Sequence, residues 1–150
     1  MNNEKIENLA LRLIDEVGKL IPEYMKIPVD LQINNGNVAI CIITEDGEIF
    51  GRMFGSNKIA ERRTYNIAWT KASQVWITGM KTGEYEKKVF NNEVDDSIYG
   101  ISKPDMIGWD GGQPITFTGG TKLSVGFSGF RGISDLEIVV KAVAAIESTN

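Results

Sequence analysis

Two glycine-rich loops flank the part of the sequence that is best suited to hold a ligand. Gly111-Gly112 precedes one predicted strand, and residues 129–132 follow the next strand and lead into a predicted helix. Glycine lets the backbone approach another molecule closely, because no Cβ stands in the way. A turn is the simpler explanation of any one glycine, but two loops around one hairpin predict a shared cleft. A loop at a helix start also offers backbone N–H groups to an anion, although Ser134 and Asp135 compete for them.

Three cationic residues are placed where they could line such a cleft and bind a ligand. Lys71 lies among small residues of a predicted helix, where it is either a snorkelling side chain or an amine with a lowered pKa that binds a carboxylate. Arg52 ends a predicted strand and Arg131 lies in the second glycine loop. Each is either a surface charge or an anchor for a carboxylate, which the planar guanidinium suits. We expect Arg131→Ala to weaken an anionic ligand and to leave thermal stability nearly unchanged.

Missing residue types exclude several kinds of chemistry. The sequence contains no histidine, which removes Ser-His-Asp and Cys-His catalysis, histidine-ligated zinc and imidazole ligation of haem. The acidic groups around Asp46 and Asp95 lack the spacing of a calcium loop, so we expect no metal site. Cys41 lies in an apolar run and is predicted to be a core residue.

Composition limits the class of protein and its partners. A chain of 150 residues with 42% hydrophobic residues predicts one domain, over residues 1–150. The net charge of −4 argues against a nucleic-acid partner, and no apolar run approaches the roughly 20 residues that span a bilayer. No apparent secretion signal and a single cysteine predict a cytoplasmic location.

Hydrophobic periodicity predicts the elements that would position these residues. The pattern predicts a first helix that ends before Pro22, and a capping box at Ser134 and Glu137 predicts the start of a final helix, with Ile133 and Ile138 as a hydrophobic staple. The other predicted elements are strands over residues 29–33, 38–44, 48–54, 113–118 and 121–128, with helices over 56–80 and 84–90. Together they predict an α+β domain with a five-stranded antiparallel sheet and flanking helices, whose first three strands form a meander.

Aromatic residues indicate a wall for the cleft and a contact between subunits. Tyr99 and Trp109 belong to a long loop over residues 91–110, and loops of this length are usually functional or disordered. Trp69 and Trp76 lie seven residues apart on the helix over residues 56–80. That helix is apolar on too many sides for a monomer, so we expect a homo-oligomer.

Several motifs resemble the GlcG/HbpS-like haem-binding family, which includes the carboxy-terminal domains of PduO-type cobalamin adenosyltransferases. The motifs are Arg52-Met53, Ala68 to Ala72, Gly111 to Ile115 and Val125 to Gly129. The resemblance covers nearly the whole chain and implies a profilin-like fold with a small-ligand site. Asp110, Phe127 and Phe130 replace a glycine, a valine and a glycine of the family pattern, which changes the lining of that site. Residues 97–101 resemble a branch associated with glycerol and propanediol metabolism.

The sequence therefore predicts a cytoplasmic, oligomeric small-ligand-binding protein, accessory to glycerol, propanediol or cobalamin-linked metabolism. Haem is the cofactor that the resemblance implies, but without histidine its iron would need a tyrosine, a methionine, Cys41 or a hydroxyl. The alternatives are an enzyme acting on a small carboxylate or aldehyde, and a structural subunit without a pocket. No catalytic residue is assigned. The predicted ligand-binding residues are Arg52, Lys71, Tyr99, Trp109, Asp110, Gly111, Gly112, Gly129, Phe130 and Arg131.

Overall fold

The centre of the fold is a strand that is buried on both faces. A computed structural model describes residues 3–101 and 105–149. In it, all seven residues of β1 (Val38–Thr44) are buried, because helices cover both sides of the sheet. Alternate side chains therefore enter two separate cores. One core receives Val38, Ile40 and Ile42, and the other receives Ala39, Cys41 and Ile43. The prediction that Cys41 is a core residue is confirmed.

The sheet has four antiparallel strands over the residues that the structure describes. They run in the order β2-β1-β4-β3, with β2 at Ile49–Phe54, β3 at Gly112–Thr116 and β4 at Lys122–Ser128. The predicted α+β class and the β3–β4 hairpin are confirmed. The predicted fifth strand is wrong, and so is the three-stranded meander, because β1 pairs with β2 on one side and with β4 on the other.

The missing strand is a helix. Residues 29–33 belong to α2 (Pro28–Asn34), which begins with a proline and ends at Asn35 in the left-handed conformation, with φ 52°. Proline suits a first helical turn, since its missing N–H would have no partner there, and asparagine tolerates positive φ at a helix end. These two boundary residues outweigh the strand preference of the apolar residues between them.

Two helices cover one face of the sheet. They are α1 (Asn3–Met25) and α5 (Gly132–Ser148). The prediction that α1 ends before Pro22 is wrong: the helix continues to Met25, and Tyr24 on the continuation is buried in the core. No helix in the described part of the chain is long and apolar enough to cross a membrane.

The predicted start of α5 is also wrong. The helix begins at Gly132, two residues before the expected capping box. Ser134 instead donates its hydroxyl to Asp30, and Glu137 accepts a hydrogen bond from the Tyr24 hydroxyl. Ile133 is 66% exposed and forms no hydrophobic staple. Ser134 and Glu137 therefore bond to residues of α2 and α1. Sequence spacing does not reveal these contacts.

The opposite face is covered by α3 (Lys58–Thr78) in direct contact with the sheet. α4 (Thr82–Phe90) follows it, and a short 3-10 helix spans Asp96–Tyr99. Small residues allow the close approach: a Cβ added to Gly126 of β4 would lie 2.1 Å from the Ala68 carbonyl oxygen and 2.7 Å from the Ala72 nitrogen. This packing places Lys71, on the same side of α3, beside the end of β4.

Candidate functional site

A cleft of about 640 Å³ opens where α2, α3 and the start of α5 meet residues 108–110 and the second glycine loop. One wall comes from α2 and α3, and the other comes from residues 108–110 and 128–132. The residues that line it are Ile33, Asn34, Arg63, Thr64, Ile67, Lys71, Gly108, Trp109, Asp110, Ser128, Gly129, Phe130, Arg131, Gly132 and Asp135. We call this set of residues the glycine-loop cleft.

A buried ion pair forms part of the cleft wall. Lys71 is 2% exposed, and its Nζ donates to the Phe127 carbonyl at 2.9 Å and to Asp135 Oδ2 at 3.3 Å. The other oxygen of Asp135 accepts the Phe130 backbone N–H at 2.9 Å. Two opposite charges are thus held together where water is largely excluded.

Burial shifts the pKa of both partners toward their neutral forms. It lowers the pKa of the Lys71 ammonium, an effect that the charge of Asp135 opposes. It raises the pKa of the Asp135 carboxyl to about 7, against the opposing attraction of Lys71 and the hydrogen bond from Phe130. The cause is the same for both groups, since a low-dielectric environment disfavours charge. The Asp135 carboxyl therefore changes its protonation state near neutral pH.

The first glycine loop makes room for this pair. Gly111 has a φ of 124°, and a Cβ there would lie 2.7 Å from Lys71 Nζ and 2.4 Å from the Phe127 carbonyl oxygen. Gly112 lies beside it, where a Cβ would come within 2.5 Å of a Thr82 methyl group. Both glycines therefore lie behind Lys71, outside the residues that line the cleft.

A second ion pair supports the mouth of the cleft. Asp30 on α2 is fully buried and accepts hydrogen bonds from the Arg131 backbone N–H, from Arg131 Nε and from the Ser134 hydroxyl. Burial raises the pKa of Asp30, but these hydrogen bonds outweigh it and keep the pKa below its usual value. The Arg131 side chain remains 44% exposed at the rim.

The start of α5 has its loop N–H groups occupied by the chain's own carboxylates. The Phe130 N–H donates to Asp135, and the Arg131 N–H donates to Asp30. Competition from Asp135 was expected from the sequence, whereas the contribution of Asp30 was not. An external anion could reach these two N–H groups only by displacing one of the carboxylates.

The structure places six of the ten predicted ligand-binding residues in the cleft lining and four outside it, namely Gly111, Gly112, Arg52 and Tyr99. Those lining the cleft are Lys71, Trp109, Asp110, Gly129, Phe130 and Arg131. Arg52 lies instead on the exposed strand β2, with its guanidinium 4.8 Å from the Phe54 ring centroid. Tyr99 packs edge-on against Tyr85, with ring centroids 5.7 Å apart. Neither lines the cleft.

Sequence reasoning missed the two carboxylates that organise the site. Asp135 was interpreted as a helix-start residue, and Asp30 was placed in a strand. The succession of Pro28 and Asp30 is a helix-start signal that could have corrected the second error. No sequence signal pairs Asp30 with Arg131, because the two lie 101 residues apart.

Other surfaces offer less chemistry. A depression of about 770 Å³ between α1 and the β3–β4 hairpin is lined by Lys5, Arg12 and Glu147, among others, and its ionisable side chains are exposed or half-buried. The described residues hold no group of three or more cysteine, aspartate or glutamate side chains that could bind a metal ion.

Solved structures share this fold. No family model matches the sequence, and no curated protein matches it. A double mutant of HbpS from Streptomyces reticuli is 19% identical, with 91% of this chain and 84% of that chain covered and a TM-score of 0.53. Protein ORFY of Klebsiella pneumoniae is 14% identical, with 89% and 88% covered and a TM-score of 0.63. PduOC, solved in a complex with haem, is 17% identical, with 89% and 91% covered and a TM-score of 0.61.

At these identities the likeness concerns the fold. The chain has the fold of GlcG/HbpS-like proteins, and the resemblance predicted from the sequence motifs is confirmed at that level.

Proposed function

We propose that the chain is a small-ligand-binding protein and that the glycine-loop cleft is its binding site. The observation that carries the proposal is the buried Lys71–Asp135 pair in the wall of a cleft of about 640 Å³. Ligand pockets commonly have volumes of about 300 to 1,000 Å³. A buried ion pair stabilises a fold poorly, because desolvation offsets the attraction, whereas perturbed ionisable groups in a cleft are typical of functional sites.

Haem does not fit the donor set of this cleft. Proteins bind haem iron through histidine, cysteine, methionine or tyrosine. The sequence has no histidine, and none of the described residues that line the cleft is a cysteine, a methionine or a tyrosine. Cys41 is buried beneath Tyr65, whose hydroxyl lies 3.6 Å from the Cys41 sulfur. The proposed ligand is therefore a small organic molecule that needs no iron coordination.

The cations that line the cleft, beside Asp110 and Asp135, favour a small carboxylate or carbonyl compound. Arg63 and Arg131 provide positive charge at the rim, and Lys71 provides an amine deeper in the wall. Guanidinium groups bind carboxylates in two-point contacts, and the half-buried Ile67 adds an apolar surface for a short carbon chain.

An enzyme that acts on a small carboxylate or aldehyde is the second candidate. The supporting observation is the pKa of Asp135, about 7. A general acid or base works best when its pKa lies near the working pH. The direct contact with Lys71 would let the pair take up or release a proton during a reaction.

The proposal extends to assembly, location and pathway. Trp69 and Trp76 on α3 are 45% and 44% exposed, which supports a homo-oligomer that covers them. A single cysteine cannot form an internal disulfide, which supports a cytoplasmic location. A role accessory to glycerol, propanediol or cobalamin-linked metabolism rests on the resemblance of residues 97–101.

Thermal-shift screening against small carboxylates and aldehydes tests the proposal. A ligand that binds only the folded state must raise stability, by about 2.7 kcal/mol at one hundred times its Kd. We expect at least one compound to stabilise the wild type and to lose its effect in Lys71→Met. A matched control, Lys58→Met, changes an exposed lysine at the start of the same helix and should keep the effect. Equal responses of wild type and Lys71→Met to every compound would contradict the proposal.

A further inference from the structure

Lys71 lies in the wall of the cleft, and its amine has an acid–base partner. Its Nζ contacts one carbonyl oxygen and one carboxylate oxygen, which leaves part of its bonding capacity unused, since an ammonium carries three donors. Lys71 and Asp135 both contribute to the cleft surface. A lysine that served packing alone would not need to lie on that surface.

Burial around Lys71 makes its neutral amine form easier to reach than that of an exposed lysine. Its side chain is 2% exposed, and Gly111 leaves no side-chain atoms against it. Desolvation of this kind lowers the pKa of the Lys71 ammonium, and a neutral amine is the form that attacks a carbonyl group. Exposed lysines such as Lys58, Lys87 and Lys141 lack this environment.

We infer that Lys71 is a nucleophile that forms an imine with a small aldehyde bound in the glycine-loop cleft. This inference rests on the proposed function and specifies its ligand class. Asp135, 3.3 Å from Nζ, is the acid that assists the reaction. The rim cations add a preference for aldehydes that also carry a carboxylate.

The step balances without any further reactant. A proton moves from Lys71 Nζ to Asp135, which leaves a neutral amine beside a carboxylic acid. The nitrogen lone pair bonds to the carbonyl carbon, and an N–H proton passes to the carbonyl oxygen to give a carbinolamine. Asp135 then protonates the hydroxyl group, which leaves as water while the C=N bond forms. The product is an iminium ion next to the Asp135 carboxylate, so opposite charges again face each other.

Reductive trapping on the wild-type protein tests the inference directly. The protein is incubated at pH 7 with limiting glyoxylate, or with limiting propanal, in the presence of sodium cyanoborohydride. Peptide mass spectrometry then measures the alkylated fraction of each lysine. We expect the alkylated fraction of Lys71 to exceed that of Lys58, since a lowered pKa raises the neutral fraction of an amine at a given pH. Faster reaction with glyoxylate than with propanal would support the role of the rim cations.

Variants separate reactivity from folding. Asp135→Asn keeps an oxygen for the Phe130 N–H and removes the acid, so it should slow alkylation of Lys71 while circular dichroism stays native. Lys58→Met should leave alkylation of Lys71 unchanged. The wild-type measurement does not depend on the folding of any variant.

The possible outcomes distinguish this inference from the proposed function. Alkylation of exposed lysines with Lys71 unmodified would overturn the inference that Lys71 forms an imine. The binding proposal would still stand if thermal shifts that depend on Lys71 persist. Fast alkylation of Lys71 that Asp135→Asn does not slow would overturn the assignment of Asp135. Absence of both Lys71 alkylation and thermal shifts would overturn both proposals.

Discussion

Arg131 binds Asp30 through its backbone as well as through its side chain. The backbone N–H, Nε and Nη2 of Arg131 donate to the Asp30 carboxylate at 3.0, 2.9 and 3.2 Å. Asp30 is fully buried, whereas Arg131 lies at the rim of the cleft. The residue that the sequence suggested as a ligand anchor thus also fixes α2 to the start of α5.

Arg131→Ala should therefore destabilise the protein. The substitution removes two of the donors to a buried carboxylate, and such a group is costly to leave without partners. We expect a lower midpoint in chemical denaturation, contrary to the near-neutral effect that the sequence suggests. Arg63→Ala, at an exposed position on the same cleft, should change the free energy of unfolding by no more than about 0.5 kcal/mol. Equal stabilities of the two variants would show that the Asp30 contact contributes little.

The Lys71–Asp135 pair should make stability depend on pH between about 4 and 7. The pKa of Asp135 rises from 3.8 to about 7 on folding, so over this interval the folded state binds more protons than the unfolded state. The free energy of unfolding should then fall as pH rises through this interval. Asp135→Asn should remove that part of the fall, while contributions from other carboxylates stay. Parallel curves of unfolding free energy against pH for the two proteins would contradict the raised pKa.

Gly126→Ala should be severely destabilising. The added methyl group would lie 2.1 Å from the Ala68 carbonyl oxygen and 2.7 Å from the Ala72 nitrogen, and backbone atoms cannot rotate away as a side chain would. We expect a loss of at least about 2 kcal/mol in urea denaturation. Gly119→Ala is the matched control, because its nearest neighbour, Lys5 Nζ, is 3.9 Å away. A mild effect of Gly126→Ala would show that α3 can move off the sheet.

Local signals explain why most elements were predictable. The small residues around Ala68 and Ala72 predict α3 and the face of α3 that packs on the sheet. Gly119-Gly120 predicts the turn of the β3–β4 hairpin. These features depend on residues that are close in sequence. Gly129 and Lys71 line one cleft together, whereas Gly111, which the sequence predicts in the same lining, lies outside it.

The strand predicted over residues 29–33 is contradicted by local boundary residues, whereas two other errors arose where distant contacts decide the structure. The α1 helix continues past Pro22 because Tyr24 is buried in the core and stacks on Phe130 with ring centroids 5.6 Å apart. The Asp135 carboxylate was missed because its partner, Lys71, lies 64 residues away. Spacing along the chain carries no information about either contact.

The exposed face of α3 gives a prediction about assembly. Trp69 is 45% exposed and lies near Ile77, which is also 45% exposed, in one apolar groove. If a second copy covers this face, Trp69→Glu should shift the oligomer toward monomer in light scattering at micromolar concentration. Val140→Glu, at a 53% exposed position on α5, is the control and should not change the mass. A stable wild-type monomer would refute the proposed oligomer.

Haem titration gives the last prediction. With no histidine in the chain and no cysteine, methionine or tyrosine among the described cleft residues, haemin should not produce the sharp spectrum of six-coordinate low-spin iron. Ile67→His places an imidazole in the cleft wall, one helical turn before Lys71, and should strengthen haemin binding and shift the Soret band relative to wild type. Exposed Ile59→His, on the same helix, controls for imidazole outside the cleft. Submicromolar affinity of the wild type with a low-spin spectrum would show that a residue outside the cleft ligates the iron. That result would contradict the proposal that the cleft is the ligand-binding site.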